Sequence, residues 1–181
     1  MDAYLDMTVF KALGIVDYSW YKDGVGLPCA WAGLNLLPRD LAKIGQLVLD
    51  DGACKSEQVL SVDWMKDMLT PGPVQSTGSK SKTGLVWTVF DEPVGGQRLR
   101  AFSHGGSLGQ YLIVFPDHHV VAVRLISAEH HKQPGDDWDG FDESIMEFIT
   151  ARGTVSGTQS GRCPDIVTAC GARTTGGTVR R

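Results

Sequence analysis

No apolar run in the 181-residue sequence approaches the ~20 residues that a membrane-crossing helix needs, so no membrane span is expected. The first residues carry Asp2 and Asp6 and lack a basic stretch leading into an apolar core, so they do not read as a secretion signal. Basic charge is not in excess: the formal net charge is −4, and no nucleic-acid footprint is expected. No Cys-x-x-Cys pair occurs among Cys29, Cys54, Cys163 and Cys170, which argues against a zinc ribbon. That spacing leaves the redox compartment open. The 181 residues suit one domain or most of one.

Charge is uneven along the chain. Residues 152–181 hold five arginines against Asp165 alone, a local +4, so the rest carries −8. This segment is rich in Gly, Thr and Ser and shows no apolar period. It reads as a disordered basic tail after a domain over residues 1–151. The arginines are scattered, with no aromatics between them, so a nucleic-acid arm is the weaker reading.

The most informative stretch is 102–115. A polar, glycine-rich segment holds Ser103, His104, Gly105, Gly106, Ser107 and Gly109, and an apolar run from Tyr111 to Phe115 follows. Glycine lets a backbone approach another group and offer its N–H donors. The bland alternative is a hairpin connection with a solvated histidine.

Around that stretch the periods are clear. Tyr4, Leu5, Thr8, Val9 and Leu13 predict a helix over 2–13, stopped by Gly14. Residues 17–33 predict a loop with a short strand at Tyr18–Tyr21. Leu37, Leu41, Ile44 and Val48 follow Pro38 at helical spacing and predict a helix ending at Asp51-Gly52. Ser61 can cap a second helix with Val62, Met65, Met68 and Leu69 on its apolar face. Residues 71–84 predict a loop. Strands are predicted over 85–90, 98–102, 110–115 and 120–127, joined by connections short enough to make neighbours antiparallel. Phe141, Ile145, Phe148 and Ile149 predict a last helix. The class is α+β, an antiparallel sheet flanked by helices.

Two local motifs invite chemistry. Gly105-Gly106-Ser107-Leu108-Gly109 matches G-x-S-x-G, which marks a nucleophile only where a strand turns into a helix. Here a strand is expected next. Ser79-Lys80-Ser81-Lys82 matches S-x-x-K and overlaps Lys82-Thr83-Gly84, which matches K-T-G. The first pattern needs one helical turn to bring amine to hydroxyl, and the loop around it favours none. The pairs His118-His119 and His130-His131 flank one strand, roughly 30 Å apart, so they cannot share one metal. His130 falls at the same end of the hairpin as His104. No metal and no other cofactor is expected.

The order of segments resembles the β-lactamase-related serine hydrolases, which group class C β-lactamases, D-alanyl-D-alanine carboxypeptidases and β-lactamase-like esterases. Phe10-Lys11-Ala12-Leu13-Gly14-Ile15 is similar to the family's V-F-x-P-L-G-M segment. Gly33-Leu34, then Pro38 to Leu47, resembles its G-G-L-x-S-T-A-R-D-L-A-K-F-G-x-L helix, with Leu36-Leu37 in place of the Ser-Thr cap. Gln58 to Trp64, Leu69-Thr70-Pro71 and Gly84-Leu85-Val86-Trp87 follow in the family's order. Ser103-His104-Gly105-Gly106 with Gly109-Gln110-Tyr111 resembles the G-H-x-G-x-x-G-Q variant of its K-T-G motif.

The resemblance implies a partial β-lactamase/transpeptidase-like fold and one wall of a site. His104 would stand for the motif's lysine, Gly105 for its threonine and Gly106 for its glycine. Ser107 would supply a backbone N–H to an oxyanion hole. The family's S-x-x-K and Tyr-x-Asn would lie upstream of Met1, leaving the chain inactive alone. Tyr18-Ser19-Trp20 does not replace the latter. The implied substrate is a small-molecule ester, amide or β-lactam. An exposed sheet edge would let chains self-associate. The alternative is a non-catalytic binding domain that keeps this sheet.

Overall fold

The computed structural model describes residues 2–72, 82–131 and 140–152. The predicted tail beyond Arg152, Cys163, Cys170 and residues 79–81 of the lysine loop lie outside the described residues.

The chain opens with α1 (Asp2–Leu5), a π-helical turn (Asp6–Phe10) and α2 (Lys11–Leu13). Gly14 ends this helix in the left-handed region, φ 62°, where a side chain would be strained. The buried residue is Phe10, outside the predicted stripe, while Tyr4 is exposed. The π turn explains the shift, because its wider winding rotates the following face. Strand β1 (Tyr18–Trp20) then pairs antiparallel with β2 (Leu34–Leu36), a partner the sequence reading did not expect.

Helix α3 (Pro38–Leu49) starts at its proline after an extended Leu37, with no side-chain cap bond. The hairpin β3 (Ala53–Cys54) and β4 (Glu57–Gln58) follows. Helix α4 (Val62–Leu69) is capped as predicted, Ser61 Oγ accepting from the Trp64 N–H at 3.2 Å. Its buried residue is Met65, whereas Val62 faces solvent.

The sheet runs β5 (Lys82–Thr83), β6 (Thr88–Val94), β7 (Gln97–Gly106), β8 (Gln110–Phe115) and β9 (Val120–Arg124), in that order and antiparallel throughout. Four boundaries correct the sequence reading. Leu85 and Val86 sit in a turn closed by the Gly84 N–H on the Trp87 carbonyl, 2.8 Å, so β6 starts later. It also runs on through Pro93, where β5 no longer pairs and a missing N–H costs no rung to that neighbour. Ser103–Gly106 is strand, in register with β8, and the connection shrinks to Ser107–Gly109. Finally, β9 stops at Arg124.

Helix α5 (Phe141–Arg152) completes three layers. Ala42 of α3 and Met65 of α4 pack with Trp87, Leu112, Val114, Val121 and Val123 on one sheet face. Phe141, Ile145 and Ile149 of α5 pack with Leu99, Ala101, Ile113, Phe115 and Ala122 on the other. Phe148, placed in the predicted stripe, is 38% exposed. The architecture is α+β.

Gly45 sets how closely α3 seats. A Cβ there would overlap Val121 Cγ1 and stand 2.9 Å from Leu112 Cδ1. The helix therefore approaches β8 and β9 only because this position has no side chain.

Candidate functional site

Strand β7 outlasts its neighbour. The β6–β7 ladder ends at Thr88↔Ser103. His104, Gly105 and Gly106 go on pairing with β8 alone, opposite Leu112, Tyr111 and Gln110. Among the described residues no strand pairs with their other edge. Residues 104–107 are all exposed. The result is an open shelf of main chain at the end of the sheet.

Side chains alternate across a strand, so His104 and Gly105 leave β7 on opposite faces. His104 lies on the α3 face, where the Trp87 ring stands edge-on to it, centroids 6.1 Å apart at 80°. Gly105 lies on the α5 face beside Tyr111. A Cβ at Gly105 would meet Tyr111 Cε1 at 3.4 Å, an ordinary contact. Tyr111 in turn stacks on Phe141, 5.8 Å apart at 25°. Of the four predicted site residues, only the strand edge and main chain present one surface. The imidazole is the sole side chain that projects beside it from the motif positions 104–106.

Ser107 comes one residue after the last rung, Gly106↔Gln110, so its N–H lies outside the ladder. It opens the three-residue turn Ser107–Gly109. Leu108 within it has φ 63° and ψ 27°, a left-handed conformation that costs an L-residue about 1–2 kcal/mol. Gly109, φ 72°, is buried. A main-chain N–H just past the ladder, after two extended glycines, is the kind of donor that stabilises charge developing on a carbonyl oxygen. Strand β8 begins at once at Gln110, so the G-x-S-x-G match has no strand-to-helix elbow.

The other candidates fall elsewhere. Lys82-Thr83, two of the three residues of the literal K-T-G match, forms the two-residue edge strand β5, two strands away from β7. Lys82 is extended, not helical, so the S-x-x-K match lacks the helical turn at its lysine. Ser19 and Lys22 also have that spacing, unnoticed in the sequence. Ser19 lies in β1 and Lys22 pairs with Asp2 at 2.7 Å, holding the Asp2 carboxyl below its usual range. His118 is buried in the turn after β8, with neither ring nitrogen hydrogen-bonded. His130 Nδ1 and Ser127 Oγ are 2.6 Å apart, but both are exposed, and the His130 N–H to Ser127 carbonyl bond (3.0 Å) shows the pair to be one local turn. An open groove of about 570 Å³ between the end of α4 and β5 is lined by Asp67, Thr70 and Thr83 and includes none of residues 104–107.

Two residues at the shelf were not picked out as functional from the sequence. Arg124, buried in β9, donates to the Gly109 carbonyl. Gln110 makes a pair of hydrogen bonds with the main chain of Ile126, its Nε2 donating to the Ile126 carbonyl at 2.7 Å and its Oε1 accepting from the Ile126 N–H at 2.9 Å. The available signal was an arginine inside the run Val-Val-Ala-Val-Arg-Leu-Ile.

Compared with known protein families, residues 2–145 match the family described as Beta-lactamase. The match takes in α3, α4, the five-stranded sheet and the exposed shelf, and it agrees with the α+β layering. By that match the chain belongs to the β-lactamase family, within the serine hydrolase superfamily.

Proposed function

We propose that this chain supplies the oxyanion wall of a serine hydrolase that cleaves an ester, amide or β-lactam through an acyl-enzyme. The observation that carries this reading is the exposed end of β7, open along one edge, followed directly by a backbone N–H outside the ladder. In the step proposed, the activating base takes the serine's proton as the serine oxygen bonds to the substrate's acyl carbon, the carbonyl oxygen takes the negative charge, and the base later passes that proton to the leaving group. The Ser107 N–H donates to that oxygen, and the charge is stabilised before the leaving group departs. His104 offers a polar contact to the substrate or to the group that activates the serine. The nucleophile and its lysine, in S-x-x-K, and the Tyr-x-Asn base belong to sequence upstream of this segment. A free sheet edge on β7 also suits an extended substrate, whose own amides could pair there.

The test is hydrolysis of a chromogenic cephalosporin and a p-nitrophenyl ester. The 181-residue chain should turn over neither. Joined to an upstream segment carrying both motifs, it should turn over at least one. Turnover by the chain alone that disappears in Ser79→Ala, Ser107→Ala or Ser127→Ala would move the nucleophile to that serine and overturn the proposal.

A further inference from the structure

The turn after the shelf is held from behind. Leu108 occupies a conformation that leucine disfavours, and nothing in the exposed shelf accounts for it. On the protected side the contacts are specific. Arg124 is 8% exposed, stands opposite Tyr111 in the β8–β9 register, and reaches past it to the Gly109 carbonyl. Beyond the end of β9, the Gln110 side-chain amide takes the place of a missing rung by bonding both main-chain groups of Ile126. These contacts anchor the C-terminal side of the turn, and the β7–β8 rung at Gly106 anchors the other.

We infer that Arg124 is a positioning residue for the Ser107 N–H: its bond to the Gly109 carbonyl, seconded by the Gln110–Ile126 clamp, keeps the Ser107–Gly109 turn in the strained shape that leaves this donor facing the shelf. The purpose assigned to the donor rests on the proposed function, but the mechanical claim does not. Loss of the guanidinium leaves a buried carbonyl without that donor, and the leucine is then free to relax toward an ordinary backbone angle. A lysine at 124 keeps a charged donor on a flexible stem and can recover part of the hold.

The test uses backbone ¹⁵N relaxation on the full 181-residue chain. In the parent, Ser107–Gly109 should show order parameters near 0.85, the value for rigid backbone. Arg124→Met should bring these three residues below about 0.6 while Met65 and Val114 keep parental values. Arg124→Lys should fall between. Unchanged order at 107–109 in Arg124→Met, or an equal loss at Met65 and Val114, overturns the inference. Should Arg124→Met not fold, Gln110→Leu decides: loosening confined to 107–109 supports the hold from behind, and none refutes it. A turn that loosens as expected, in a chain that stays inactive when extended upstream, removes the proposed function and leaves this inference standing.

Discussion

The two ends of β7 are built by opposite rules. At the Arg98–Arg100 end, the strand pairs with β6 alone and is braced by charge: Arg98 meets Asp91 in a two-pronged bond (2.6 and 2.8 Å), and Arg100 meets Asp117 at 2.9 Å. At the His104–Gly106 end, one neighbour has stopped and no ion pair is found among the described residues of the stretch. The first end is closed by side chains, and the second leaves its main chain exposed. Between the ends, Phe102 and Ser103 pair on both sides, and β8, backed by β9 and α3, supports the strand from there through the open end.

The largest effect should come from closing a donor at the open end. In the chain joined to an upstream catalytic segment, Ser107→Pro removes the N–H and should lower kcat by roughly 10²–10³, whereas Ser107→Ala should stay within about a few-fold. Circular dichroism controls for distortion of the turn. Equal, severe losses from both would make the hydroxyl the working group and erase the contrast between the ends. Next comes the seat of α3. Gly45→Ala forces a methyl against Val121 and Leu112 and should cost about 1–3 kcal/mol, read as a lower urea midpoint. A neutral result would mean that α3 can lift without loss, so its seat on β8 and β9 is not what supports the open end.

The smallest effect belongs to the closed end. Arg98→Ala breaks a pair whose members are 79% and 37% exposed, so the expected loss is about 0.2–1 kcal/mol at pH 7 and smaller in high salt. Hydrogen bonding from Arg98 holds the folded Asp91 carboxyl below its usual 3.8. Its contribution is therefore complete above that value and fades as pH falls through the lowered one. The parent and Arg98→Ala should accordingly converge in stability in acid. A gap that persists at the acid end would assign the loss to packing of the arginine stem.

Elements governed by local signals were legible in the sequence. Pro38 and the spacing of Leu41, Ile44 and Val48 placed α3, and Ser61 placed the start of α4. What depended on distant pairing was not legible. Gly105 and Gly106 read as turn because glycine usually breaks strands, yet Gly106 is simply extended at φ −114°, fixed by its rung to Gln110. Arg124 and Gln110 owe their roles to partners 15 and 16 residues away, a separation that no local window covers. His104 and Ser107 were found because glycine flanks them, but the opposite faces of His104 and Gly105 emerge only once the strand is known to continue.

The π turn at Asp6–Phe10 carries one last consequence, best stated as phase. A helix keeps time at about 100° per residue, and the π turn lets one extra beat pass before α2 begins. Phe10 reaches the interior, edge-on to Tyr18 at 4.8 Å, because of that extra beat. Regular winding over the same residues would turn Phe10 away from Tyr18 by one residue's step, about 100°. The π turn thus works as a clock setting between the first turn of the chain and everything that packs after it.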